Sequence, residues 1–322
     1  MAELRIPALD FQAFLEAKAP IDSASLDPGL LELFRRSLEA DPAPRLLDLG
    51  VGTGATLRRV LAFPLSADLE LTGLDSDAQS LELARRRIAE QLRALSIRVR
   101  EQAQEAGWLL EAHSRLRRVR VRLVRADLLA PGTVAMLGEG GFGYITAHAF
   151  LDLLPLARAL HVVRALLAPD GLLYATLNYD GSTVLLPEDR DPDFERTLLE
   201  AYKRSMELRR VDGEPTGGAF SGRRLRAELE WGGFRLIGAG RSDWDVHPAA
   251  GDSGAAAHAE RQAPGSAVFL RALLGMIAGE GKRDGDIDPE KLEAWWRRRS
   301  ADLRAGRLGL AARNQDLLAA RE

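Results

Sequence analysis

Through the middle of the chain, short unbroken apolar runs alternate with longer stretches whose apolar residues recur every three to four positions. The first rhythm suits strands buried on both faces. The second suits helices laid against them, and the alternation predicts a parallel sheet with crossover helices. Strands are predicted over residues 45–49, 69–74, 119–124, 143–147, 172–177 and 234–239, and helices over 55–63, 155–167 and 220–231. Leu81, Ala84, Ile88, Leu92 and Leu95 keep helical spacing, so residues 78 to about 117 read as a long helical stretch that breaks near Ser96 or Gly107. Pro64 ends the helix before it, Pro169-Asp170-Gly171 turns into a strand, and Gly232-Gly233 stops another helix.

Three regions fall outside that rhythm. Residues 1–44 predict an N-terminal cap of two helices, with Phe11, Phe14 and Leu15 on one face and Pro42 and Pro44 separating it from the first strand. Residues 181–219 form an insertion with one helix over 193–208. Residues 242–305 hold a Gly/Ala/Ser-rich loop at 249–265, expected to be mobile because it has little to bury, and helices over 266–279 and 288–303. A final strand is predicted over 308–317. The expected fold is a doubly wound α/β domain with a mostly parallel seven-stranded sheet and helices on both faces. The core spans 45–241, with the cap before it and residues 242–322 completing the same domain.

Composition narrows the function classes. The chain of 322 residues carries 44 basic and 47 acidic side chains, a net charge of −3, and is 46% apolar. That describes an ordinary globular protein and excludes a disordered one. Cysteine is absent, which removes disulfides, thiolate metal sites, Fe–S clusters and a cysteine nucleophile. No stretch reaches the roughly 18 apolar residues a spanning helix needs, and the start of the chain lacks an export signal, so a cytoplasmic location is expected. Lysine occurs only at 18, 203, 282 and 291, and the preference for arginine fits a GC-rich bacterial genome. Arginines cluster at 85–87, 93, 98, 100, 115–125 and 297–299, but Glu82, Glu90, Glu101, Glu105 and Glu111 are interleaved with most of them. Mixed sign predicts a salt-bridged surface rather than a nucleic-acid face, which would show one sign.

The sharpest local signal is Leu46-Leu47-Asp48-Leu49-Gly50-Val51-Gly52-Thr53-Gly54. Gly50 permits a tight turn out of the strand, Gly52 lets backbone approach a ligand, and Gly54 lets a helix pack close. The next strand ends in Gly73-Leu74-Asp75, which places a carboxylate beside the turn where it can accept both hydroxyls of a ribose. Gly50, Gly52 and Ala55 also satisfy the dinucleotide pattern. Asp48 argues against it: a carboxylate under the turn repels a pyrophosphate and suits an ammonium group.

These residues resemble class I S-adenosylmethionine-dependent methyltransferases. Asp48 to Gly54 is similar to their acid-x-Gly-x-Gly-x-Gly motif, and Asp75 to the acid closing their second strand. Further resemblances are Ala126-Asp127-Leu128 after the third strand, Tyr144 to Ala149 at the fourth, and Leu167 to Leu173 at the turn into the fifth, where Asp170 replaces a glycine. The resemblance covers about residues 40–240. It implies that Gly50, Gly52 and Gly54 line the methionine moiety, with Ala147 and His148 at its far side, and that Asp48 orients the amino group. It also implies that Asp75 binds the ribose with Ser76 beside the adenine, that Asp127 bonds the adenine amine, and that Leu128 packs on its ring. Asp75 and Asp127 have plainer readings as a helix cap and a turn cap.

Methyl transfer from a sulfonium is an in-line displacement whose main demand is alignment. A base is needed only where the acceptor must lose a proton. Candidates at the predicted strand ends are His148 and Asp152, then Tyr179 beside Asn178 and Asp180, then Asp243 beside Ser242, Trp244 and His247. Asp152 could instead cap a helix and His148 could be a bonded structural histidine. No metal is expected, since no two histidines share ligand spacing. No Gly-x-Ser-x-Gly elbow marks a hydrolase, and the Asn/Asp-Pro-Pro-Tyr/Phe motif of amino-methylating nucleic-acid enzymes is missing. The expected activity is transfer of a methyl group to O, N or C of a small molecule. The alternatives are a tRNA, rRNA or protein acceptor, a NAD-dependent oxidoreductase, or a non-catalytic cofactor-binding protein. The oligomeric state is left open.

Overall fold

The computed structural model describes residues 6–65, 68–95, 98–113, 117–247 and 265–322. The cap is two helices, α1 (Phe11–Ser25) and α2 (Pro28–Ala40). The aspartate before each accepts a backbone N–H of its first turn, Asp10 from Ala13 at 3.0 Å and Asp27 from Leu30 at 2.8 Å. Then come β1 (Arg45–Leu49), α3 (Ala55–Ala62), β2 (Leu69–Asp75) and α4 (Ala78–Leu95). A hairpin of β3 (Arg98–Gln104) and β4 (Gly107–His113) leads to β5 (Arg118–Arg125). Next are a short α5 (Thr133–Leu137), β6 (Phe142–His148), α6 (Leu156–Leu166) and a long β7 (Leu167–Leu186). After α7 (Pro192–Glu207) and a small hairpin, β8 (Arg210–Val211) with β9 (Glu214–Pro215), the chain forms α8 (Ser221–Trp231), β10 (Phe234–Arg241) and β11 (Trp244–Val246). It closes with α9 (Ser266–Arg283), α10 (Pro289–Arg304) and β12 (Gly309–Arg321).

The sheet runs β10-β12-β7-β6-β1-β2-β5-β4-β3, with β11 paired to β12. β1 pairs in parallel with β2 on one side and β6 on the other, so the winding reverses at β1. Helices cover both faces. Phe34, Leu38, Leu57, Leu61 and Ile88 fill one layer and Leu160, Val163, Leu225 and Leu229 the other. This is the expected doubly wound, Rossmann-like α/β fold.

The sheet has ten strands, not seven. The expected helical stretch ends at Leu95, and residues 98–113 form two added antiparallel strands. Leu110 and Ala112 alternate inward beneath α4, while Glu101 pairs with Arg85 and Arg93 of α4, and Arg98 and Arg100 lie opposite His113 and Glu111 in the ladder. A largely polar edge strand has little apolar alternation to betray it. The break positions near Ser96 and Gly107 mark the true boundaries. The third added strand is β11, and β7 continues through residues 181–186, which were expected to belong to an insertion.

The arginine-rich region is a salt-bridged surface. Arg85 and Arg86 meet Glu82, Arg93 meets Glu101, Arg87 meets Glu90 and Glu16, and Arg120 meets Glu111. At the other end of the chain Arg299 is fully buried. It binds Glu195 through Nε at 2.7 Å and Nη2 at 2.5 Å, and donates to the carbonyl of Pro187. That cluster joins α7 to α10, and Trp295 Nε1 donates to the same Glu195 at 2.7 Å. The loop at 249–265 lies outside the described residues except for Gly265, which precedes α9. Among the described residues, no helix is long and apolar enough to cross a membrane.

Candidate functional site

The crevice outside the carboxyl ends of β1 and β6 is where a doubly wound sheet binds ligands. The glycine turn opens onto it. Gly50, Gly52 and Gly54 all have positive φ, 62°, 51° and 82°, which an L side chain adopts only with strain. A Cβ at Gly54 would lie 3.1 Å from Ile88 and 3.3 Å from Ala84, so this glycine does let α4 pack close.

Asp48 is 1% exposed, beneath the turn. The Thr146 hydroxyl donates to its Oδ1 at 2.7 Å. Burial pushes the Asp48 carboxyl up to about 7, against the Thr146 hydrogen bond and the nearby Arg59. Asp75 spans the turn from the end of β2, accepting the Gly52 N–H at 2.8 Å and the Asp77 N–H at 2.9 Å. Burial also raises its carboxyl, while those two N–H bonds oppose the rise. Ser76 is exposed beside it. Asp127 is exposed, and its Oδ1 accepts the Leu129 N–H at 2.8 Å, which is the turn-capping geometry. Leu128 is buried in the core among Leu74, Val124 and Leu129.

His148 ends β6, after the buried Ala147, and both its ring nitrogens are bonded. Nε2 lies 3.1 Å from Asp22 Oδ2 and Nδ1 2.7 Å from Thr176 Oγ1. An ionised carboxylate only accepts, so Nε2 carries the hydrogen and Nδ1 accepts from Thr176. Burial lowers the His148 pKa, with Asp22 opposing, which favours the neutral ring. Asp22 also accepts from Lys18 Nζ at 2.5 Å and from Trp244 Nε1 at 2.9 Å. Burial alone would raise Asp22, but Lys18 and His148 hold it below the usual carboxylate range. Neither Lys18 nor Asp22 stands out in sequence. An i,i+4 lysine–aspartate pair on a terminal helix reads as surface, yet here it is 8% and 3% exposed.

The other candidates are dispersed. Asp152 is half-buried just past the end of β6, and burial raises its carboxyl. Tyr179 bonds Thr183 through its hydroxyl at 2.8 Å. Asp243 is held in a loop, taking the Asn314 N–H at 2.9 Å and pairing with Arg241. The strand ends therefore bring together Asp48, the glycine turn, Asp75 and His148, and leave Asp243 apart. Arg59, Thr146, His148, Tyr174 and Thr176 border a cavity of about 10 Å³, room for roughly one water.

The donor and acceptor set fits an adenosyl amino acid: one acid under the glycine turn and another across it. The turn itself is crowded in this conformation. A Cβ on Gly50 would meet the Phe150 ring at 2.2 Å, and one on Gly52 would meet Leu15 of α1 at 3.2 Å. Two of the chain's own side chains, Phe150 and Leu15, pack against the glycine turn.

No family model matches the chain, and no curated protein matches its sequence. Solved structures to which it is similar include a putative methyltransferase from Bacillus halodurans, with a TM-score of 0.47 and 13% identity over 90% of this chain and 97% of that one. Another is a geranyl diphosphate methyltransferase in complex with S-adenosylmethionine, with a TM-score of 0.44 and 13% identity over 98% and 97%. A [4+2]-cyclase gives a TM-score of 0.43 and 14% identity over 100% and 99%.

Proposed function

We propose that the protein is an S-adenosylmethionine-dependent methyltransferase acting on a small molecule. The observation that carries this reading is Asp48, buried under a positive-φ glycine turn at the point where the sheet winding reverses, with Asp75 bonded across the turn. When bound, the cofactor would supply an activated methyl group on a sulfonium. Asp48 would face its ammonium, Gly50 and Gly52 would line its amino-acid arm, and Asp75 would take the ribose hydroxyls. Ser76, Asp127 and Leu128 stand for the adenine end, as the family resemblance implies. On the acceptor side His148 would stand nearest, with Asp152 and Tyr179 carried over from the sequence as further candidates. Paired surface arginines favour a small acceptor over RNA.

Leu15 and Phe150 over the turn, and the two occupied nitrogens of His148, favour a second reading: a cofactor-binding protein without catalysis.

The test is a thermal-shift titration with S-adenosylhomocysteine, S-adenosylmethionine and NAD(H), on wild type and Asp75→Ala. Ligand at 100 times its Kd adds about 2.7 kcal/mol, worth ~4 °C at this chain length. A shift with the adenosyl compounds that Asp75→Ala abolishes supports the cofactor assignment. A shift with NAD(H) alone overturns it. If the adenosyl compounds bind, His148→Ala separates the two readings: an enzyme loses turnover without losing affinity.

A further inference from the structure

Helix α1 follows the crevice at the strand ends rather than sitting above it. Gln12, Leu15 and Asp22 fall on one stripe, three and seven residues apart, and each meets the end of a different strand. Gln12 Nε2 donates to Asp77 at 2.8 Å, just past β2. Leu15 rests on Gly52, just past β1. Asp22 takes His148 at the end of β6. From residue 12 to residue 22 a helix rises about 15 Å, enough to cross three strands spaced about 4.8 Å apart. The order of contacts, from the acid-tipped β2 past the glycine turn to His148, is the order in which the proposed cofactor would lie from its adenosyl end to its sulfonium end.

We infer that α1 is a built-in occupant of this crevice, a removable helix that an adenosyl ligand must displace, latched by Asp22 between His148, Trp244 and Lys18. The inference rests on the proposed cofactor. The latch is the buried Asp22 carboxylate, which accepts from His148 and Trp244 outside the helix, while Lys18 pairs with it from within α1, on a helix that otherwise has an apolar anchor. Phe14 stacks on Phe269 at 5.8 Å and 12°, and Ala17 lies against Gly265. These contacts pack α1 against α9. The polar contacts toward the strand ends and β11 are at Asp77, His148 and Trp244, while Glu16 and Ser23 bond Arg87 of α4 and Arg59 of α3. Lys18, whose ammonium also lies 5.1 Å from the Trp244 ring centroid, completes the arrangement. Exchanging these bonds for bonds to a ligand makes opening and binding one event, and the closed state lowers the apparent affinity by the fraction of molecules that are open.

Two measurements test this. Amide hydrogen exchange on the wild-type chain is followed over residues 11–25 with and without saturating S-adenosylhomocysteine, with NADH as control. The affinity of Asp22→Asn for S-adenosylhomocysteine is measured by calorimetry. Expected are loss of protection in α1 on binding, and binding by Asp22→Asn tightened about tenfold, the scale of one charge-assisted hydrogen bond. Binding that leaves α1 protection unchanged or raises it overturns the inference and keeps the cofactor, because α1 then closes over the ligand. Weaker binding by a folded Asp22→Asn overturns it in the same way. Binding by neither protein removes the cofactor reading and the inference together. If Asp22→Asn does not fold, the wild-type exchange pattern alone decides.

Discussion

Replacing Asp48 with asparagine should abolish a specific pH dependence of stability. Asp48 is 1% exposed, and its carboxyl is pushed from an ordinary 3.8 up to about 7, chiefly by burial. The folded protein therefore keeps this proton up to about pH 7, while the unfolded chain releases it near 3.8. Where the folded state binds more protons, stability falls as pH rises. The contribution is complete below 3.8 and lost as pH passes through 7. Between pH 5 and pH 8 the loss is about 2.5 kcal/mol by that linkage. Unfolding entropy of ~2.1 cal/mol/K per residue makes this about 4 °C in Tm for a chain of this size. The assay is differential scanning fluorimetry of wild type and Asp48→Asn from pH 5 to 8 at constant ionic strength. Asparagine keeps an oxygen to accept from Thr146 and cannot ionise. The difference between the two proteins isolates residue 48 from Asp75, Asp152 and His148, which titrate in both. Wild type should lose about 4 °C more than the variant. Parallel Tm curves would refute the argument, and so would a wild type that gains on the variant as pH rises.

Other expectations follow from the same physics. An ammonium group placed beside Asp48 favours its ionised form, so binding of S-adenosylhomocysteine at pH 6 should release a proton; calorimetric heats that do not change with buffer ionisation enthalpy would contradict this. Arg299→Ala leaves Glu195 buried without its partner and should cost about 3–5 kcal/mol, read as a Tm drop of roughly 4–7 °C. Gly107→Ala places a Cβ 1.9 Å from the Leu123 carbonyl oxygen at φ +142°, and should unpair β4 from β5; fast amide exchange confined to residues 98–113 is the expected signature.

Those residues also show where sequence reasoning stops. β1, β2 and β6 were legible because strands buried on both faces read as apolar runs, and the glycine turn because its positive φ angles favour one residue type. The hairpin was not. Leu92 and Leu95 carry helical spacing up to its edge, β3 is largely polar with Val99 alone against the core, and Glu105-Ala106 is a weak turn signal. Only the break signals near Ser96 and at Gly107 marked it. At the site, Asp48 and Asp75 were legible through their spacing from the glycines. The Asp22–His148–Thr176 chain was not, because its members are 126 and 28 residues apart and no local pattern announces that a helix stripe will meet strand ends. Asp243 shows the limit from the other side: a carboxylate at a strand end reads as chemical in sequence, and in the fold it holds Arg241 and the backbone of Asn314.

The added hairpin does more than lengthen the sheet. Without it β5 would be the outermost strand, presenting Val119, Val121 and Leu123, all buried here, along a line of unpaired backbone groups. Such an edge recruits another chain. β4 absorbs those hydrogen bonds, and β3 ends the sheet with Arg98, Arg100, Glu101, Gln102 and Gln104, whose backbone could add a further strand only by stripping water from charged neighbours. Glu101 is tied back to α4 by Arg85 and Arg93, and Arg85 lies 4.7 Å from the Trp108 ring centroid. The hairpin is thus a terminator for strand addition, and shortening it should show itself first as aggregation on expression, before any effect at the glycine turn.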